Sequence, residues 1–295
     1  MKKAVLILAA VFLPAGCMVW NVRDEGKPAG TVLFFSDAAR HSLFDVKALP
    51  ESSGLSEVDG EPGLFLTHGD SFSPSKIYLF RYNDGQIGDY RSIPVKGAVQ
   101  SDWEDLARGK DGQIYLADIG DNLRLRTEKR IYRIDGKKTV SSGTALVEEK
   151  WVIRCRMDGK TVYADTEALF IYKEKFYLIT KNRGEALIFE ADPKSGRRID
   201  AHAVGSFSAF SEITSADIDA EEQRLAVLSY NYLYLVDVSD GLTGLSDKIL
   251  KIFSLDCGQC EGVCFTSDGG LAVSNEDGDF YKLPASALGS HTAGR

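Results

Sequence analysis

From residue 51 to near the end of the chain, short apolar runs alternate with Asp-Gly turns and other polar breaks. Runs at Leu64–Thr67, Ile114–Ala117, Phe176–Ile179, Leu225–Leu228 and Leu271–Ser274 have the length and composition of buried β-strands. Each is followed by another such run: Ile77–Phe80, Ile131–Ile134, Leu187–Glu190, Tyr232–Val236 and Phe280–Leu283. Further runs at Ser92–Val95, Trp151–Arg154 and Ile249–Phe253 supply a third member to several groups. Turn pairs stand where hairpins need them, at Asp84-Gly85, Asp111-Gly112, Asp158-Gly159, Asp240-Gly241, Asp268-Gly269 and Asp277-Gly278. No segment sustains a helical period over three turns, so the pattern predicts an all-β chain.

A short motif opens each group. Asp102-Trp103-Glu104-Asp105-Leu106 aligns with Glu51-Ser52-Ser53-Gly54-Leu55 upstream. Downstream it aligns with Asp165-Thr166-Glu167-Ala168-Leu169, Thr214-Ser215-Ala216-Asp217-Ile218 and Gln259-Cys260-Glu261-Gly262-Val263. The offsets are 51, 63, 49 and 45 residues. Four strands recurring about every 50 residues are the signature of a β-propeller. The pattern predicts five four-stranded blades, with six as the alternative count because of the longer 63-residue interval. The last group lacks a fourth strand, and Ser42–Val46 stands ahead of the first group, so the N-terminal strand is expected to complete the last blade and remove the open edge. The expected organisation is a signal segment over 1–16, an anchor and tether over 17–30, a propeller over 31–284 and a flexible tail over 285–295.

The N-terminus changes the picture of location. Lys2 and Lys3 precede the apolar run Ala4–Leu13, which is too short to span a bilayer and has the layout of a secretory signal. Leu13-Pro14-Ala15-Gly16-Cys17 looks like a lipobox in which Cys17 becomes the lipidated first residue, although Leu13 sits one place further out than usual. Met18 is not the aspartate of inner-membrane retention, so the expectation is an outer-membrane lipoprotein of the bacterial envelope, facing periplasm or exterior; plain secretion is the alternative. Loss of residues 1–16 leaves 33 basic against 43 acidic residues, a charge of −10. That charge, with no basic stripe, argues against a nucleic-acid partner.

The acidic residues carry the candidate chemistry. Blades of a propeller bring equivalent positions together near the axis, and the middle of the repeat reads Ser53, Glu104, Glu167, Ala216 and Glu261. Three carboxylates at one level repel unless protonated or bridged by a cation. The second strands end on His68, Asp118, Thr180, Ser229 and Asn275. A Ca²⁺ site built from Glu104, Asp118, Glu167, Glu261 and Asn275 is therefore one expectation; acidic residues capping solvated strand ends is the other. Asp102, Asp121, Asn122, Lys181 and Arg183 are candidate ligand contacts, although Gly120-Asp121-Asn122 also reads as a hairpin tip and Lys181 and Arg183 as a solvated rim. His68 with Asp70 is a candidate acid–base pair. Gly159-Lys160-Thr161 ends like a phosphate loop, but Arg154 replaces its first glycine. Four scattered histidines do not make a zinc cluster. A disulfide among Cys155, Cys257, Cys260 and Cys264 is expected of an exported chain.

The run DWEDLA, then YLADIGDN, with ESSGL before it and CEGV near the end, resembles exported bacterial propellers related to the SdiA-regulated and phytase-esterase-like families. The likeness spans residues 45–283 and implies a propeller with a calcium site in its channel. Its departures are Ala216 in place of a glutamate and a family tendency to six blades. Two functions follow: a lipid-anchored envelope protein that binds a small molecule or envelope partner through an acidic, calcium-bearing top face, or a metal-dependent hydrolase of lactones, esters or phosphoesters. Scarcity of histidine favours binding. On the location, Cys17→Ser is expected to leave an unprocessed precursor or release a soluble form. Normal processing and membrane fractionation of that variant would refute the lipid anchor.

Overall fold

The β-rich pattern folds into antiparallel four-stranded meanders arranged so that exposure rises from the first strand of each to the last. The computed structural model describes residues 51–289 except 71–73, 84, 220 and 222, with the backbone of short strands at Val11–Phe12, Met18–Val22, Gly30–Phe34 and Arg40–Ser42. Cys17 and most of the predicted strand Ser42–Val46 lie outside the described residues. The first meander runs Ser52–Glu57, Leu64–Gly69, Lys76–Asn83, Gln86–Lys96. The second runs Trp103–Arg108, Gln113–Asp118, Lys129–Asp135, Glu149–Met157. Thr166–Tyr172, Lys175–Thr180, Gly184–Ala191 and Arg198–Ala209 follow, the last being a strand the apolar runs did not reveal. Ile213–Asp219, Arg224–Ser229, Tyr232–Asp237 and Ile249–Ser254 come next. Cys260–Phe265, Leu271–Asn275 and Asp279–Leu283 end the series, and Arg40–Ser42 pairs antiparallel with the last of these. The arrangement is propeller-like.

The first strands are the innermost. Ser52–Glu57 and Cys260–Phe265 are buried along their whole length, whereas Gln86–Lys96 alternates between exposure and burial only at its end. A strand buried on both faces cannot alternate polar and apolar residues, which is why the repeat openings look irregular in sequence. Between 103 and 166 there is one meander only; its extra length goes into the 119–128 loop and the helix Gly136–Ser142, capped by Asp135 accepting from the Lys138 N–H. The start of the expected tail is ordered differently: Ala285–Leu288 form one helical turn whose Leu288 is buried. At the N-terminal side, Met18–Val22 pairs with Gly30–Phe34, which in turn runs parallel to Ile249–Ser254. Among the described residues no helix is long and apolar enough to cross a membrane.

Buried polar groups link the first strands to each other. The Asp105 carboxylate accepts from the Leu106 N–H (2.9 Å), the Leu169 N–H (2.9 Å), the Ser215 hydroxyl (2.9 Å) and the Ala216 N–H (3.2 Å). Three first strands thus converge on one side chain that is 0% exposed. Ser215 Oγ accepts in turn from the Val263 N–H, and Asp217 accepts from Phe265. Gly262 and Gly54 bring the last and first of these strands together: a Cβ on Gly262 would lie 2.9 Å from the Gly54 carbonyl carbon. The expected disulfide joins Cys257 and Cys260, a pairing the sequence left open, and Cys155 and Cys264 are buried free thiols.

Removing the Asp105 carboxylate strands three buried backbone donors, each costing about 1–3 kcal/mol. Asp105→Ala is therefore expected to lower stability by about 3 kcal/mol or more in thermal or denaturant unfolding. A loss below about 1 kcal/mol would show that this carboxylate does not hold the first strands together.

Candidate functional site

Every first strand carries a β-bulge at the same level. Pairing with the second strand passes from Ser53 to Leu55, Trp103 to Asp105, Thr166 to Ala168, Ile213 to Ser215 and Cys260 to Gly262. The skipped residues are Gly54, Glu104, Glu167, Thr214 and Glu261. A bulge leaves its extra residue unpaired and re-aims its side chain. Glu104, Glu167 and Glu261 are the residues so placed, as the repeat predicted. The column differs from the sequence alignment in two members, Gly54 for Ser53 and Thr214 for Ala216. No fourth glutamate is missing: the position holds a threonine whose hydroxyl donates to the Cys260 carbonyl (2.7 Å).

Two clusters form in the acidic mouth above this column. In the first, one carboxylate oxygen each from Asp70, Asp102 and Glu104 lie within 4.8 Å of one another. Asp70 is held by its N–H donating to the Glu51 carbonyl and by the Gln100 amide donating to the Gly69 and Asp70 carbonyls. The Asp102 N–H donates to Asp118. Gly120 packs directly over this trio, and a Cβ there would overlap Glu104 Oε1 and the Asp102 carboxylate. Glycine at 120 is thus required by space. Glu104 is 3% exposed, and its Oε1 has no hydrogen-bond partner. Burial raises its pKa well above the ordinary value, and the charges of Glu167, Asp70 and Asp102 add to the rise.

The second cluster centres on Lys181. Its Nζ lies 3.2 Å from Glu167 Oε2 and 5.8 Å from the Tyr230 ring centroid. Burial pushes Glu167 up to about 7 against the pull of Lys181, and its Oε1 is buried without a partner. Burial also raises Glu261 well above its ordinary value, with the Glu167 charge adding to it, and Glu261 shares a hydrogen bond with Glu276. Tyr230 is pushed up to about 12 by burial and the Glu261 charge. Lys181, Tyr230 and Glu276 each directly follow a second strand. Tyr230 and Glu276 were not singled out from the sequence, and their common place in the repeat is the signal that marks them.

Other expected members are used structurally. Asp118 is 0% exposed and paired with Arg126 (2.9 Å) and Arg130 (3.2 Å), so its charge is already compensated. Asp121 accepts from the Leu125 and Arg126 N–H groups and closes the 119–128 loop, whose Ile119 carbonyl accepts from buried Lys129 and from Thr166. Asn122 and Arg183 are exposed. Asn275 donates to the Cys257 carbonyl and accepts from the Asp279 N–H, fixing a turn. His68 is fully buried, edge-on to Trp103 with ring centroids 5.7 Å apart, and Nδ1 lies 3.0 Å from the Gly69 carbonyl. Burial lowers it to about 4, and Nε2 faces the Asp105 backbone without a hydrogen bond of good geometry. This setting suits a neutral packing group better than a base that meets substrate.

By structure the chain is similar to a glutaminyl cyclase of Myxococcus xanthus: TM-score 0.53 and 9% identity, over 86% of this chain and 97% of that one. The likeness is one of fold. In all, 568 solved chains match by structure, so the fold does not select a function. No family model matches the chain, and no curated protein is similar to it in sequence. The resemblance to the SdiA-regulated and phytase-esterase-like families therefore rests on motifs alone.

A hard cation fits the first cluster by three criteria: all-oxygen donors, a buried oxygen without a partner, and a glycine that leaves room. A cavity of about 890 Å³ lies elsewhere, at the far end of the first strands beside Arg108 and Ser267. Charges on its wall pair with each other, as in Arg133–Glu149 (2.8 Å) and Lys110–Glu174 (3.7 Å).

Carboxylates with raised folded pKa values hold protons that the unfolded chain releases near pH 4. Glu167 at about 7 and Asp105 at about 8 make the folded state the stronger proton binder between about pH 4 and 8. Stability is then present at low pH and lost as pH rises through that window. In chelator, the melting temperature is expected to fall from pH 5 to pH 8. A rise over that range would refute the raised carboxylates.

Proposed function

We propose that this chain is a bacterial envelope protein, lipid-anchored through Cys17, whose acidic mouth binds Ca²⁺ and through it a small ligand or envelope partner. The five meanders and the pairing of Arg40–Ser42 with Asp279–Leu283 support reading the fold as a five-bladed ring closed by its N-terminal strand. One observation carries the cation: a Glu104 carboxylate oxygen lies within 4.8 Å of Asp70 and Asp102 oxygens, and Glu104 Oε1 is buried without a partner. A buried carboxylate beside two others is unfavourable without a counter-charge, and a divalent cation supplies one. Calcium is favoured over magnesium because it accepts irregular oxygen sets with six to eight ligands, including waters. The ligand set proposed here is Asp70, Asp102 and Glu104, in place of a symmetric ring.

A metal-dependent hydrolase is the second reading, supported by Glu167, a carboxylate raised to about 7 beside Lys181. Lactones, aryl esters and phosphoesters assayed with and without calcium separate the two readings. Turnover that is lost in chelator selects the enzyme, and no turnover on any of them selects the binding protein.

A ligand that binds only the folded state adds about 2.7 kcal/mol at a hundredfold excess over Kd. Millimolar calcium is therefore expected to raise the melting temperature by several degrees, more at pH 8 than at pH 5. Glu104→Gln should abolish the rise. A melting curve that does not respond from micromolar to millimolar calcium would overturn the cation site.

A further inference from the structure

The rim around the acidic mouth displays apolar side chains to solvent. Five of the nine large hydrophobic side chains exposed among the described residues, Val99, Leu123, Leu125, Met157 and Tyr163, lie in the segments at this end of the strands. Val99 precedes Gln100, whose amide holds Asp70, and Tyr163 stands two residues before Asp165, which accepts from the Asp121 N–H (2.8 Å). Leu123 and Leu125 are the most exposed, at 80% and 74%, on the 119–128 loop whose Gly120 packs against Asp102 and Glu104. The loop is braced. The Arg124 N–H donates to the Asp121 carbonyl (2.7 Å), the Asp121 carboxylate accepts from the Leu125 and Arg126 N–H groups, and the Arg126 guanidinium donates to the Gly120 and Asp118 carbonyls. Arg124 holds φ at +52°, a left-handed conformation that a non-glycine residue keeps only where its surroundings impose it. Two leucines held out in water on a braced turn mark a contact surface.

The direction of the N-terminal strands says what covers this rim. Ser254, at the mouth-side end of Ile249–Ser254, pairs with Tyr232 at the start of the neighbouring strand and with Phe34 of the parallel strand Gly30–Phe34. Met18–Val22 returns antiparallel with Val19 opposite Leu33, so Met18 stands at the mouth-side end of that edge. Cys17 is the residue before it in the chain. A bilayer reached through Cys17 therefore lies on the side that carries Leu123 and Leu125. We propose that the mouth-side rim is a membrane-docking face, with these two leucines buried at the headgroup level and the acidic mouth turned toward the bilayer. This rests on the lipid anchor proposed above for Cys17. Arg124 and Arg183, exposed on the same rim, match headgroup phosphates, whereas Glu104, Glu167 and Glu261 are at most 5% exposed and set back from them. An anchored chain meets its own membrane at high effective concentration, so a small apolar tip suffices to fix its orientation.

Reaction of an introduced thiol with a membrane-impermeant maleimide tests the orientation. The lipidated protein is bound to preformed vesicles of phosphatidylethanolamine and phosphatidylglycerol, and the unanchored reference is the same chain with Cys17→Ser in solution. Cys155 and Cys264 are buried and give little background. The thiol of Leu123→Cys is expected to react more slowly on vesicles than in the unanchored form by about tenfold or more, because a docked apolar tip is sunk into the headgroup region. The thiol of Ser195→Cys, at the opposite end of the strands, is expected to react equally in both settings. Equal reaction of Leu123→Cys in both settings, with the protein still on the vesicles, would overturn the docking face and leave the lipid anchor standing. Protection of both thiols alike would also overturn it. Failure of the lipidated protein to bind vesicles would overturn the anchor and the docking face together. Protection of Leu123→Cys in the unanchored form that grows with protein concentration would assign the rim to a second copy of the chain and overturn the membrane.

Discussion

The structure turns on one buried carboxylate. Asp105 ties its own strand to the first strands of the two following meanders through three backbone N–H groups and the Ser215 hydroxyl. Inner strands pack large apolar side chains between meanders, as Phe170 shares a core with Ile213 and Ile218, but packing leaves their buried backbone groups in need of partners. A carboxylate with four donors satisfies backbone groups that water cannot reach. Burial still pushes Asp105 up to about 8, because the hydrogen bonds only partly offset the loss of water. Ser215 and Asp217 continue the same device to the last meander.

With the strands held there, the bulges one residue before Asp105 and its equivalents lie at one level. Each turns a side chain out of the ladder, and three of the five are glutamates. The site is therefore a product of the same repeat that builds the fold. What differs between meanders is how the charge is compensated. Asp118 is answered by two arginines from its own meander, Glu167 by a lysine at the end of the neighbouring strand, and Glu261 by a shared hydrogen bond with Glu276. Glu104 shares a hydrogen bond with Glu167, and each of the two keeps one buried oxygen without a partner.

The repeat, the hairpin joining Asp102–Ala107 to Ile114–Ala117 and most strands were legible in the sequence, because turn chemistry and apolar runs are local signals, whereas which cysteines pair was not. Arg198–Ala209 was not, since an outer strand with one solvated face carries polar residues such as Arg198, His202 and Ser206. The column of bulged residues was off by one in the first meander and by two in the fourth. A bulge inserts a residue into one strand only, so counting along the chain cannot register it against the partner. His68 was a candidate base from its place at a second-strand end beside Asp70, and that end is covered by Trp103 and Gly54.

By itself the sequence determined an all-β repeating architecture and which residue types recur near the strand ends, since periodicity and turn residues act over a few positions. Only the tertiary structure decided which acids meet which cations. Asp118 and Asn275 stand in the same column as each other, yet one is locked by guanidinium groups and the other by a turn. Asp70, Asp102 and Glu104 come together from two meanders, with Gly120 leaving them room. Charge compensation depends on distances of a few ångströms, even between residues only 8 to 14 positions apart such as Asp118 with Arg126 and Glu167 with Lys181, and no local pattern encodes those distances.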